Sequence, residues 1–139
     1  MPESKAESGP ENNLDLWPKE IVATDITTPA AIMQMQASLL SKRTNYKLRG
    51  AVETTTAGST LLQTFYIVAP SLENYRYELF AVYHGAVPYP VRVKSAPQDV
   101  KDLGFLMENE QEFLAWLRAV LASSETKRVV GALLAQVKG

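Results

Sequence analysis

The 139-residue chain has no cysteine, a single histidine (His84) and no apolar run near the roughly 18–20 residues that span a bilayer. Without cysteine there can be no disulfide, thiol nucleophile, zinc–thiolate centre or iron–sulfur cluster. One histidine leaves a transition metal short of its usual ligands, because carboxylates alone favour harder ions. No metal or other cofactor is therefore expected. An excess of charge of either sign is also missing: fourteen Lys and Arg face fifteen Asp and Glu, a formal charge of −1. No global field draws the chain to nucleic acid or to an anionic membrane, so nucleic acid is disfavoured as a partner. There is no Gly-rich phosphate loop, no G-x-S-x-G elbow and no H-E-x-x-H helix.

What is present is ordinary globular material. Hydrophobic residues make up 46% and charged residues 21%, enough for a real core in one domain. The opening MPESKAESGPENN is polar and has no apolar h-region, so it is not a secretory signal. A cytoplasmic location is the default expectation. Residues 1–13 offer almost nothing to bury and are expected to be a disordered tail, leaving 14–139 as a single domain. Leu14, Leu16, Trp17 and Ile21, interrupted by Pro18, read as an extended arm that pins Trp17 onto the body.

Thr28 can cap a helix with Pro29 at its first position, and apolar residues recur at helical spacing to Lys42 and Arg43, where basic side chains suit the helix dipole. From Tyr46 the period changes to two, giving a half-buried strand to about Thr55. Ala57-Gly58-Ser59 turns the chain into a second, central strand over Leu61–Ala69. A third strand covers Tyr75–Tyr83 and a fourth Val87–Lys94. Pro88 and Pro90 cannot donate ladder hydrogen bonds, which predicts that the fourth lies at an edge or bulge. Residues 96–108 read as a loop. Asn109 caps a helix with Glu112 at the capping-box position, and Ser123 or Ser124 caps a last one. The prediction is an α+β fold: an N-terminal helix, a four-stranded, mostly antiparallel meander, and two C-terminal helices.

Leu61–Lys94 holds five of the six tyrosines and His84. Strict alternation puts Tyr75, Tyr77 and Tyr83 on one strand face with Tyr89 beside them. That would be a candidate interface if the helices cover the other face, and plain core if they do not. His84 could act as a general base near Glu78 or Tyr66, although a lone strand-end histidine is more often a satisfied structural group. Asp99-Val100-Lys101 and Glu125-Thr126-Lys127 both match the acid-x-Lys tripeptide of PD-(D/E)xK nucleases, which place such residues on neighbouring strands around Mg²⁺. The first lies in a predicted loop and the second in a first helical turn, and tripeptides this short arise by chance. Ser124-x-x-Lys127 is better explained as a cap. Lys42, Arg43, Lys47 and Arg49 cluster between the first helix and first strand and could meet nucleic acid, although dipole complementarity accounts for them too.

The run APSLENYRYELFAVYHGAVPYPVRV, with the ending FLAWLRAVLASSETKRVVGALLAQVKG, resembles small uncharacterised bacterial proteins, cyanobacterial ones among them. The resemblance covers about Pro29 to the C-terminus. It implies a compact α+β domain of unknown function and transfers no functional residue. The sequence thus points to a non-enzymatic binding or protein-interaction module, possible as a homo-oligomer. The alternative is a nuclease-like or nucleic-acid-binding protein using Asp99, Lys101, Glu78 and His84 with the basic cluster.

Overall fold

In the computed structural model, which describes residues 14–137, one helix precedes five strands and two helices follow them. The expected tail at residues 1–13 lies outside the described residues. Helix α1 (Pro29–Arg43) begins as its sequence dictates: Thr28 Oγ1 accepts the Ala31 N–H at 3.1 Å, and Pro29 takes the first helical position. The helix ends in a tight reversal. Thr44 Oγ1 donates to the Leu40 carbonyl at 2.9 Å and accepts the Leu48 N–H at 3.2 Å, while Asn45 and Tyr46 take left-handed φ values of 53° and 63°. This turn uses up the first residues of the apparent alternation, so β1 runs Arg49–Ala57 rather than starting at Tyr46.

Strands β1, β2 (Thr60–Ala69), β3 (Tyr75–His84), β4 (Val91–Ser95) and β5 (Leu106–Met107) form one antiparallel sheet in sequence order. The α+β class and the meander agree with the sequence reading, with one strand more. β5 is two residues long, too short to carry a period. It corrects the edge alternative for the proline-containing strand: β4 starts after Pro88 and Pro90 and has β5 as its outer neighbour, while its register with β3 shifts at Lys94, away from the prolines. The prolines sit in the connection, where their missing N–H costs no ladder bond.

Helix α2 (Glu110–Leu121) carries the predicted capping pair. Asn109 Oδ1 accepts the Glu112 N–H at 2.9 Å, and the Glu112 carboxylate reaches back to the Glu108 N–H at 2.8 Å. Helix α3 (Ser124–Gln136) is capped by Ser123, whose Oγ accepts the Thr126 N–H at 3.1 Å. All three helices cover the sheet face that carries Phe65 and Ile67 of β2. Phe65 stacks on Phe80 at 5.3 Å, and Phe80 meets Trp116 of α2 edge-on at 5.3 Å. Ile32 and Met33 of α1 and Val129 and Leu133 of α3 complete the core.

α1 approaches the sheet backbone to backbone. A Cβ on Gly50 would stand 2.4 Å from Ala37 Cα and 2.6 Å from Ala37 Cβ. Here the absence of a side chain is a packing requirement. Gly50→Ala should cost about 1–3 kcal/mol by overpacking, read as a lowered urea midpoint at unchanged slope. Trp116 Nε1 is buried without a hydrogen-bond partner. Because an orphaned donor costs about 1–3 kcal/mol, Trp116→Phe should change stability by less than about 1 kcal/mol, whereas Phe113→Ala should cost about 3–5 kcal/mol in the same denaturation assay.

Candidate functional site

The register of β2 with β3 decides where the tyrosines go. Phe65 pairs with Phe80 and Tyr66 with Glu78, so Leu79 is an extra residue in a β-bulge. Leu79 and Phe80 are both buried, and the alternation changes phase between them. Tyr75 and Tyr77, opposite Ala69 and Ile67, therefore face the helices, and Tyr83, opposite Leu62, faces away. The expected single face of Tyr75, Tyr77 and Tyr83 is corrected on this ground. Tyr77 lies half-buried and donates to the Glu125 carboxylate of α3 at 3.0 Å; burial, then that hydrogen bond, holds its pKa above the ordinary phenol value. Tyr75 is half-exposed at the end of the strand. Tyr89 packs against the core and donates to the Thr27 carbonyl at 3.0 Å.

The residues weighed for catalysis occupy separate places. His84 is buried and points to the helix side, opposite Leu61. Its Nδ1 donates to the Gly85 carbonyl at 2.8 Å, and its Nε2 accepts from the Gln63 amide at 3.3 Å. Gln63 in turn accepts from Thr54. Both ring nitrogens thus have partners, in a hydrogen-bond chain from Thr54 of β1 through Gln63 of β2 to His84 of β3. Glu78 and Tyr66 stand on the opposite face, where Glu78 accepts from Ser95 Oγ at 3.0 Å. Asp99 lies in a 3₁₀ turn (Gln98–Leu103) and accepts the Ser124 N–H at 2.8 Å, a second cap on α3, while Lys101 is exposed on the same turn. Glu125 accepts the Gln98 N–H at 3.0 Å. Among the described residues, no three His, Asp or Glu side chains come together as a metal-binding group.

The helix-free sheet face carries an ion pair and a cation–ring contact. Arg76 bonds Glu53 at 3.1 Å and lies over the Tyr66 ring at 4.0 Å. All four residues of the basic cluster are exposed, but they divide: Arg49 lies on this face, while Arg43 lines the groove on the helix side.

On the helix side, α1 and the α2–α3 pair stand apart and leave an open groove of about 830 Å³ over the middle of the sheet. Phe65, Ile67 and Leu79 form its floor. Leu39 and Leu40 of α1 make one wall; Leu114, Leu117 and Leu121 of α2, with Val130 and Leu134 of α3, make the other. Three cations line it, Arg43, Arg118 and Lys127, each from a different helix, and no carboxylate does. Volumes of about 300–1,000 Å³ are typical of ligand sites. The signal for this groove was present in α2, where Leu114 and Leu121 form a second apolar stripe beside Phe113, Leu117 and Val120.

Burial, with a smaller contribution from Glu110, pushes the Tyr89 phenol up to about 12. An unfolded tyrosine ionises near 10, so between these values the unfolded chain releases a proton that the folded chain keeps. Stability should be full below pH 10 and fall as pH rises toward 12. Tyr89→Phe should flatten that loss in urea midpoints measured from pH 8 to 12. Compared with known proteins, the chain matches no family model, no curated protein and no solved structure.

Proposed function

We propose that this protein is a non-enzymatic interaction module that captures an apolar segment of a protein partner, bearing acidic side chains, in the groove between α1 and the α2–α3 pair. The observation that carries the reading is the pairing of an apolar floor and walls with three cations and no carboxylate. Laying an apolar face into a groove between secondary elements is a recurrent mode of peptide recognition. The three cations line the groove from three different helices, so a segment that carries both apolar and acidic side chains complements it. A partner with acids spaced along its length would meet them separately. The opposite face carries an Arg76–Glu53 pair, so part of its charge is already neutralised. Asp99 and Glu78 are engaged in structural hydrogen bonds, and no observation favours the nuclease-like alternative.

The anionic apolar dye 1-anilinonaphthalene-8-sulfonate is a suitable probe. Its fluorescence should rise saturably with low-micromolar protein. Leu39→Glu and Leu121→Glu, at partly exposed positions, should abolish the rise while circular dichroism stays unchanged. Arg118→Glu with Lys127→Glu should weaken binding about tenfold, equivalent to about 1.4 kcal/mol. A dye signal indifferent to all four changes would remove the groove as the site.

A further inference from the structure

The segment leading into α1 carries a second unpartnered surface. Leu14, Leu16, Trp17, Ile21, Val22 and Ile26 are each between 46% and 87% exposed. The expectation that Trp17 is pinned to the body is thereby corrected: it is 76% exposed. Pro18 keeps the segment out of a continuous helix, and the Pro18 carbonyl accepts the Ile21 N–H at 3.3 Å in a local turn. Three acids, Asp15, Glu20 and Asp25, are interleaved with these apolar residues against one base, Lys19. The arm is thus apolar and acidic, and the groove apolar and basic.

We infer that the arm of one copy, residues 14–27, occupies the groove of a second copy, and that the exchange is reciprocal. This rests on the groove being the binding site proposed above. Three features support a second copy as the occupant. The arm complements the groove in both polarity and sign of charge. In the single chain it does not fill its own groove, since its large apolar side chains stand in solvent. Its departure point is fixed, because Tyr89 Oη donates to the Thr27 carbonyl at 3.0 Å. The groove, in contrast, is lined by the far half of α1, from Gln36 to Thr44. An extended arm of this length reaches about 45 Å at about 3.3 Å per residue, well beyond the roughly 13 Å that nine helical residues span. Its length is therefore enough to lie along a groove wall away from its departure point. Trp17 is the natural anchor, as tryptophan dominates the central pockets of interfaces. Two arms related by a two-fold axis close the assembly, leaving neither arm nor groove open.

Sedimentation equilibrium of the full chain from 1 to 500 µM tests this, together with acrylamide quenching of Trp17 in a Trp116→Phe background. The expected result is a mass approaching twice 15.4 kDa, with Trp17 shielded as the dimer forms. Trp17→Ser with Leu16→Ser, and separately Arg118→Glu with Lys127→Glu, should each shift dimerisation at least tenfold to higher concentration. A monomer with accessible Trp17 up to 500 µM overturns the inference. So does a monomer with shielded Trp17, which would put the arm in its own groove, and so does a dimer indifferent to the arm substitutions. The dye assay on the Trp17→Ser, Leu16→Ser chain separates the two readings. If the dye binds this chain while the unaltered chain stays monomeric, the groove reading stands and only the occupant is wrong; if the dye also fails to bind, both fall.

Discussion

The arrangement of the helix side depends on the contact between Gly50 and Ala37. With no Cβ at Gly50, α1 settles onto the backbone of β1 at a separation no other residue would permit. This fixes α1 over one edge of the sheet, with Leu39 and Leu40 facing inward. α2 is fixed independently through Trp116, set edge-on against Phe80 of β3. The two helices are thus anchored on different strands, and the groove runs between them above Phe65 and Ile67, which are themselves buried. The groove follows from where the helices are pinned.

The bulge at Leu79 is the second determinant. It turns two consecutive residues of β3 toward the core, so Leu79 floors the groove while Phe80 joins the aromatic stack. It also separates Tyr83 from Tyr75 and Tyr77. Tyr77 then becomes a strut to Glu125 and the start of α3, which Asp99 caps from the 3₁₀ turn. Acidic residues that attract attention as a short motif are thus employed in holding α3 against the sheet.

The two sheet faces differ in the cost of leaving them wet. On the helix-free face Glu53, Arg76 and Glu78 have partners, and Arg76 covers the Tyr66 ring, so water is a good neighbour. On the helix side the groove presents leucine and valine walls. Apolar surface gains about 25 cal/mol for each Å² removed from water, and exposed contiguous apolar patches mark interaction sites. The cations at its margin set the sign of a complementary partner.

Local rules written in neighbouring residues determined much of this protein. Thr28-Pro29, Asn109 with Glu112, and Ser123 start their helices as their chemistry requires, and the turn at Gly58 followed by the apolar run Leu61–Ala69 defines the central hairpin. These features depend on hydrogen bonds three or four residues apart or on a short contiguous run, so they are legible in sequence. The tertiary structure alone decided the rest. A bulge is set by how two strands align, and nothing in YRYELFAVYH marks Leu79 as the extra residue. The two-residue β5 exists only because β4 offers it a partner. Which face the helices cover, and the gap they leave, depend on Gly50 and Trp116 meeting residues distant in sequence. Of the residues in the tyrosine alternation and the acid-x-Lys tripeptides, Tyr77, Asp99 and Glu125 make hydrogen bonds that support the fold. The groove is assembled from three helices and two strands, so a contiguous stretch shows only one wall of it, the Leu114 and Leu121 stripe of α2.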